Sequence, residues 1–239
     1  SCQESLIKVF GIKETKYKPL KVNYKQWVVG TQGSQGDFIQ TGLTSENYII
    51  EDIDPWGKTV PIWECRPTGD TGSGGDGGWI YTKTGIDPTK LYRFSVFVRR
   101  TVIGNGYIYL GCLGNVKRLD TSTVDGNPYF WYGNLTNTDW ILIVGYILPY
   151  DTMYTTNNVY LDSGRWKVSD KSFIGNINYN FKWGDETITN FRHRAYLFYS
   201  TDASTRQQFV YPRVDLMDGT QPTLDDLLSG FDSYNWDYI

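Results

Sequence analysis

The chain has 239 residues, of which 16% are aromatic, including nineteen tyrosines and nine tryptophans. Disordered chains contain few aromatic residues, so this composition excludes a largely disordered protein. The formal net charge is −3 with acids and bases intermixed, which argues against a nucleic-acid partner, because such proteins carry a basic stripe. The longest apolar run, residues 140–148, is too short for membrane insertion, which takes about 20 residues.

Three segments are predicted from the order of residue types along the chain. Residues 1–26 form a basic N-terminal arm with six lysines, and its extended pieces can add a strand to the domain itself or to a neighbouring subunit. Residues 27–230 form one β-sandwich domain, since aromatic residues suit strands and the many glycines suit tight turns. Residues 231–239 form a short C-terminal tail.

The clearest strand signal lies at residues 92–99, where Tyr92, Phe94 and Val96 alternate with polar residues. This period of two predicts a half-buried antiparallel strand. A second strand is predicted at residues 106–113, directly after a Gly-Asn-Gly turn. The two segments are therefore predicted to pair as a hairpin.

The later strands differ in how much of their surface is predicted to be buried. Residues 140–147 are apolar on both faces, which predicts a central strand. Further strands are predicted at residues 194–199 and 208–216. Pro212 indicates that the last of them lies at an edge or carries a bulge, because proline cannot donate a ladder hydrogen bond.

One helix is predicted, close to the C-terminal end of the domain. Thr223 can cap its first turn, with Asp226 in the reciprocal position of a capping box. Many strands followed by a single short helix predict an all-β fold, an antiparallel β-sandwich, and argue against alternating α/β units.

Several short motifs occur together in an order that resembles one group of folds. They include Asp-Pro-Trp-Gly at residues 54–57, Asp-Gly-Gly-Trp at 76–79, Tyr-Arg-Phe-Ser at 92–95 and Pro-Arg-Val-Asp at 212–215. Over residues 27–228 the chain resembles the jelly-roll, galactose-binding-like domains of phage tail and tail-fibre proteins and of secreted carbohydrate-binding modules. The resemblance implies an extracellular or virion-surface setting, and it does not identify a ligand.

The same resemblance implies a structural Ca²⁺ ion held between an early loop and the last strand. The positions that match are Glu46 and Asp215, with backbone carbonyls completing the shell. The alternative is that both carboxylates only accept hydrogen bonds from backbone amides.

The three cysteines, Cys2, Cys65 and Cys112, have no metal-ligand spacing, and their odd number leaves at least one outside any intramolecular bridge. Cys112 lies in an alternating strand pattern, which favours a buried free thiol. A bridge between Cys65 and Cys112 is the alternative. Cys2 can carry an intermolecular link.

Catalysis has little support in the sequence. His193 is the only histidine and lies between two arginines, whose charges would lower its pKa, so a structural role is expected. Glycoside hydrolysis needs two carboxylates about 5–9.5 Å apart, and no spacing among the acidic residues singles out a pair. The glycine-rich run at residues 69–78 lacks the lysine of a phosphate-binding loop.

Binding is better supported, by a run of four aromatic residues at 129–132 between turn residues. A sugar ring has an apolar C–H face that suits an aromatic plate and hydroxyls that suit a neighbouring amide. The candidate ligand-binding residues are Tyr129, Trp131, Tyr132, Asn134 and, more weakly, Trp56. Simple alternation predicts Tyr129 and Trp131 on one side of the strand, with Tyr132 on the other. The alternative is that these aromatics belong to the core.

The sequence therefore predicts a non-catalytic module of an extracellular or virion-surface protein, similar to a phage tail fibre. It would bind a glycan or another cell-surface receptor through surface aromatics, within a homo-oligomer that multiplies weak contacts. One alternative is a structural subunit of a filament or virion that assembles through its N-terminal arm. A second alternative is a polysaccharide-cleaving enzyme domain.

Overall fold

A computed structural model of the chain describes residues 26–70 and 74–230. Within these residues the fold is an antiparallel β-sandwich of two stacked sheets with one short α-helix, as predicted, and a three-residue 3₁₀ helix at Thr44–Glu46. The exception to the antiparallel pattern is one parallel contact, in which residues 181–182 pair with residues 147–148.

The strands are β1 (Phe38–Gln40), β2 (Asn47–Ile53), β3 (Thr59–Cys65), β4 (Gly75–Thr84), β5 (Tyr92–Val102), β6 (Tyr107–Leu113), β7 (Val116–Arg118), β8 (Tyr129–Gly133), β9 (Ile141–Leu148), β10 (Gly164–Lys167), β11 (Phe173–Gly175), β12 (Phe181–Trp183), β13 (Asn190–Phe198) and β14 (Arg206–Leu216). A five-stranded sheet has the order β1-β4-β13-β6-β8. The second sheet follows β11-β10-β9-β5-β14-β3-β2, and β12 joins it between β9 and β7.

The core lies between the two sheets and is rich in aromatic side chains. Phe94 of β5 packs against Phe130 of β8, with ring centroids 5.4 Å apart, so the two sheets meet through aromatic contacts. Every residue of β9 is buried, which confirms the prediction of a central strand there. Burial of this much apolar surface is the main favourable term for the fold.

The predicted hairpin between β5 and β6 is wrong. β5 pairs with β9 and β14 in one sheet, whereas β6 pairs with β8 and β13 in the other. The glycine-containing turn at residues 104–106 therefore carries the chain from one sheet to the other. A turn signal between two strands cannot distinguish a hairpin from a sheet-to-sheet connection.

The prediction that β5 is half-buried is also wrong, because both of its faces are covered. Arg93 and Ser95 point away from the core, and yet they are 1% and 0% exposed. Arg93 donates to the backbone carbonyl oxygen of Pro222, in the segment that leads into the helix. The C-terminal segment thus lies over the outer face of this strand.

Pro212 lies in β14, which is central, between β5 and β3. The register between β14 and β5 shifts between Val210 and Arg213, so the proline sits in a bulge. Tyr211 within this bulge has a φ of 52°, a conformation that residues other than glycine rarely adopt. Of the two alternatives that the sequence left open, the bulge is confirmed and the edge position is wrong.

The predicted helix, α1 (Leu224–Ser229), begins and ends as its sequence indicates. The Thr223 hydroxyl accepts from the Asp226 amide, and the Asp226 carboxylate accepts from the Thr223 amide. Gly230 ends the helix in the left-handed conformation, with a φ of 66°. Leu227 and Leu228 are buried, so the helix packs on the domain through its apolar side.

Cys65 and Cys112 are buried and free, which confirms the prediction for Cys112 and contradicts the alternative of a bridge between them. Cys2, the arm except for Gln26, and the tail at 231–239 lie outside the described residues. Across the described ranges, none of the helices has the length and apolar character needed to cross a bilayer.

Candidate functional site

A cavity of about 260 Å³ opens on the outer face of the five-stranded sheet. Six aromatic rings and one amide side chain form its walls. The lining residues are Tyr109, Asn127, Tyr129, Tyr132, Tyr196, Phe198 and Tyr199. They belong to β6, β8, β13 and the loops that flank these strands.

The centre of the site is a row of three tyrosines on neighbouring strands. Tyr109 is directly opposite Tyr196 in the β13–β6 pair and directly opposite Tyr132 in the β6–β8 pair. Its ring lies 5.4 Å from that of Tyr196 and 5.7 Å from that of Tyr132, at interplanar angles of 19° and 18°. Such cross-strand aromatic stacks hold one another in place, so the cavity wall is rigid.

A bulge in β8 decides which aromatic side chains reach the cavity. Trp131 is opposite Leu110 and Tyr129 is opposite Gly111, so Phe130 is an extra residue in the strand. Tyr129 and Tyr132 consequently point to the same face, outward. The alternation predicted from the sequence, with Tyr129 and Trp131 sharing a side, is therefore wrong.

Gly111 makes room for the side chains that cover this part of the sheet. A Cβ atom placed there would lie only 2.7 Å from Cδ1 of Tyr129 and 3.3 Å from Nε of Arg194. The Arg194 guanidinium sits over the Tyr129 ring, 4.4 Å from its centroid, in a cation–π contact. The same guanidinium donates to Asn127 Oδ1 at 2.8 Å.

The tyrosine hydroxyl groups supply polar chemistry. Tyr129 and Tyr196 are joined by a hydrogen bond between their hydroxyl oxygens. Burial raises the pKa of Tyr196 and that of Tyr109, so both stay protonated at neutral pH. A protonated phenol both donates and accepts, which suits the hydroxyl groups of a polyol.

Two of the rings are open to a ligand. Tyr132 is 44% exposed and Tyr199 is 54% exposed, whereas Tyr196 is 4% exposed. Both faces of Tyr109 are covered by its stacked neighbours. Among the described residues β8 is an edge strand, so none of the described strands lies beside the outer face of Tyr132. Tyr132 and Tyr199 can therefore act as stacking platforms at this cavity.

Three of the residues predicted to bind a ligand do not line this cavity, namely Trp131, Asn134 and Trp56. Trp131 is 6% exposed and packs in the core beneath the guanidinium of Arg165, because the bulge turns it inward. Asn134 is exposed one residue beyond the end of β8, outside the set of lining residues. The predicted role of Trp131 as a stacking platform is thus contradicted by its burial.

Trp56 also has a structural position. Its ring stacks on Tyr211 and meets the edge of Phe97, at centroid distances of 5.8 and 5.2 Å. Its indole N–H donates to the Leu228 carbonyl oxygen of α1. Trp56 therefore anchors the helix to the outer face of the nine-stranded sheet, on the opposite side of the sandwich from the cavity.

Glu46 and Asp215, predicted to share a calcium ion, lie at opposite ends of the nine-stranded sheet. The Glu46 carbonyl oxygen accepts from the Arg66 amide, and the preceding residue, Cys65, pairs with Gln207 of β14. Asp215 is eight residues further along β14, roughly 25 Å away at about 3.3 Å per residue. The prediction that these two carboxylates form one site is therefore wrong.

Asp215 has cationic partners instead. It accepts from Nη2 of Arg93 and from Nη2 of Arg213, each at 2.8 Å, and all three residues are at most 2% exposed. Burial acts to raise the pKa of Asp215, but the two guanidinium groups outweigh it and lower that pKa to about 2. This carboxylate is an ion-pair partner within the fold.

Glu46 lines a smaller cavity of about 170 Å³ together with Asp70 and Asp76. Glu46 Oε2 accepts from the Leu43 amide at 2.7 Å, which matches the alternative that the sequence left open for this residue. Burial, and then the neighbouring carboxylates, raise the pKa of Asp76 to about 6, against a hydrogen bond from the Ser200 amide. Across the described ranges, no group of three or more His, Cys, Asp or Glu side chains has the geometry of a metal site.

His193 is fully buried and packs between Trp79 and Phe94, with ring centroids 5.0 and 5.4 Å away. Its pKa falls to about 3, and the cause is burial, not the flanking arginines as predicted. The histidine is neutral and lies in the core, which confirms the expected structural role.

Sequence reasoning missed Tyr109, Tyr196, Asn127, Phe198 and Tyr199 as members of the site. A signal for the first two exists: tyrosines at 107 and 109, and aromatics at 196 and 198, repeat with a period of two on strands whose other face is apolar. An aromatic stripe on the solvent side of such strands indicates a binding face. Tyr109 and Tyr196 come together only because β6 pairs with β13, and these two strands are far apart in the sequence.

No family model matches the sequence, and no curated protein matches it. Solved structures resemble the fold. A CBM4 carbohydrate-binding module has 10% identity at a TM-score of 0.40, over 86% of this chain and 99% of that one.

Two more structures show a likeness of the same kind. The CBM22-1 xylan-binding domain from Paenibacillus barcinonensis Xyn10C has 12% identity and a TM-score of 0.34, over 80% of this chain and 91% of that one. An arabinose-bound α-L-arabinofuranosidase, MgGH51, has 14% identity and a TM-score of 0.45, over 84% of this chain and 27% of that one. Since all three TM-scores are below 0.5, these likenesses carry no argument about function.

Proposed function

We propose that this chain is a non-catalytic, extracellular carbohydrate-binding module that holds a saccharide in the tyrosine-lined cavity. The observation that carries the proposal is the cavity itself, with six aromatic rings and one amide on an exposed sheet face. A saccharide offers an apolar ring face and polar edges, and this cavity offers partners for both.

The exposed and the buried residues of the cavity offer different contacts to a saccharide. Tyr132 and Tyr199 present exposed rings on which the C–H face of a sugar can stack. Tyr196 and Tyr129 present hydroxyl groups that are already linked to each other and therefore fixed in position. A site that is ordered before binding loses less conformational entropy when the ligand arrives.

A binding role is favoured over hydrolysis by the residues that line the cavity. Cleavage of a glycosidic bond takes two carboxyl groups on either side of it. The side chains around this cavity are tyrosine, phenylalanine and asparagine, none of which can serve as that pair. The alternative of a polysaccharide-cleaving enzyme domain would require carboxylates that the walls of this cavity do not supply.

The test is isothermal titration with a panel of soluble oligosaccharides, comparing the wild type with Tyr132→Ala and Tyr199→Ala. Loss of one stacking ring should weaken binding about tenfold, or about 1.4 kcal/mol. Phe173→Ala is the matched control, because Phe173 is 49% exposed on β11 of the other sheet. Binding that is unchanged in both tyrosine variants, or a panel without any ligand, would reject the proposal.

The wider setting of the module is a further part of the proposal. An exposed single cavity binds weakly, so a homo-oligomer on a virion, tail fibre or filament would gain affinity through multivalency. This setting rests on the sequence resemblance and on the arm at residues 1–26, which lies almost wholly outside the described residues. The molar mass in solution with and without residues 1–26 tests it, and a monomer in both cases would exclude assembly through the arm.

A further inference from the structure

The polarity of Asn127 is set by its neighbour. An arginine carries only donors, so the atom of Asn127 that faces Nη2 of Arg194 at 2.8 Å must be the carbonyl oxygen Oδ1. The Nδ2 amide group is consequently turned away from Arg194. Asn127 is exposed and lines the cavity, so its two remaining N–H donors are available to a ligand there.

Arg194 itself is a buried cation without a carboxylate partner. It is 6% exposed, and within residues 26–70 and 74–230 it makes no ion pair. Nη2 donates to Asn127 and to the Pro128 carbonyl oxygen, but Nε is buried without an acceptor. A buried charge of this kind is costly to the folded protein unless an anion comes close to it.

The charge lies directly against the cavity wall. Cζ of Arg194 is 4.4 Å from the centroid of the Tyr129 ring and 5.9 Å from that of Tyr196, and both rings line the cavity. Asp125, the carboxylate nearest to Asn127 in sequence, accepts from the Asn127 backbone amide at 3.0 Å. Arg194 therefore places a positive charge beside the cavity, and this charge acts through aromatic rings that screen it less than water does.

From these observations we infer that the cavity selects acidic saccharides, whose carboxylate or sulfate group accepts from Nδ2 of Asn127. Arg194 acts through Asn127 and by its charge, as a positioning residue. This inference rests on the proposed function and narrows it to one ligand class. A neutral sugar would find the same stacking rings but would leave the donors of Asn127 and the charge of Arg194 without an anionic partner.

The first experiment compares ligands that differ only in charge. Isothermal titration would use an oligogalacturonide against its carboxyl-reduced form, and a sulfated galactan oligosaccharide against its desulfated form. At least tenfold tighter binding of one charged member supports the inference, and the pair that shows it identifies the anion. If neutral members bind as tightly, the inference fails while the proposed function stands. If no member binds and the wider panel is also negative, both fail.

The second experiment changes the donor without changing the shape. Asn127→Asp puts a carboxylate against Arg194, which neutralises the cation and removes the amide donors. The affinity for the charged ligand should fall at least tenfold more than the affinity for the neutral form. Asn134→Asp is the control, because it adds the same charge to an exposed residue outside the cavity lining. Thermal melting establishes that both variants fold, and an undiminished preference in Asn127→Asp would overturn the inference.

Discussion

Replacing Asp215 with asparagine should destabilise the domain strongly, although the side chain keeps its size. Asp215 neutralises Arg93 and Arg213 in a site where all three side chains are at most 2% exposed. Asparagine would remove the negative charge that these two buried guanidinium groups share. Breaking a buried ion pair in this way typically costs about 3–5 kcal/mol of unfolding free energy.

The dependence of stability on pH gives a second, independent value for the contribution of Asp215. The pKa of Asp215 is about 2 in the folded protein, below the 3.8 of an unperturbed aspartate. A lowered pKa means that the carboxylate stabilises the fold above pH 3.8, and that this contribution is lost as the pH falls towards 2. The difference of nearly two pKa units corresponds to roughly 2 kcal/mol.

The assay is urea denaturation followed by tryptophan fluorescence at pH 7, 4 and 3. The difference in unfolding free energy between the wild type and Asp215→Asn should be largest at pH 7 and smaller at pH 3. Asp151→Asn is the control, since Asp151 is an exposed loop residue and its loss should change stability by less than about 0.5 kcal/mol. An Asp215→Asn protein as stable as the control at pH 7, or a difference that ignores pH, would refute this reasoning.

Three further outcomes are expected. Gly111→Ala should weaken saccharide binding and cost about 1–3 kcal/mol of stability, because its Cβ would lie 2.6 Å from the Pro128 carbonyl oxygen and would displace Tyr129. Binding titrations and melting curves check this, and an unchanged affinity would contradict it. Asp76 has a pKa raised to about 6, so the folded state binds its proton more tightly than the unfolded state does, and the unfolding free energy falls as the pH rises from 4 to 6. Thermal melts of Asp76→Asn should lack this fall with pH. A fall equal to that of the wild type would count against the prediction. Calcium added back after chelation should leave the melting temperature unchanged, because Glu46 and Asp215 do not share a site; a rise in the melting temperature would contradict this.

Local signals in the sequence were sufficient for the elements that depend on local physics. Residues 140–147 are apolar on both faces, which favours a central strand, and β9 at Ile141–Leu148 is one. Thr223 and Asp226 form the capping box that their spacing predicts. The partner of β6 was beyond such reasoning, because a turn signal does not say in which sheet the next strand pairs.

The site was partly predictable for the same reason. Tyr129 and Tyr132 were identified from composition and turn context, but the bulge at Phe130 that puts them on one face leaves no mark in the sequence. Trp131 was misjudged because a one-residue bulge exchanges inward and outward positions. Tyr109 and Tyr196 meet across strands separated by more than eighty residues of chain, which is a property of topology.

The place of β14 has a consequence for how the polypeptide acquires its fold. This strand is the last in sequence, yet it lies between β5 and β3, more than one hundred residues upstream. Until residues 206–216 have left the ribosome, β5 and β3 present open backbone edges, which attract other chains. Pairings of such long range have high contact order, so maturation should be slow and nascent chains should depend on chaperones until the gap is filled.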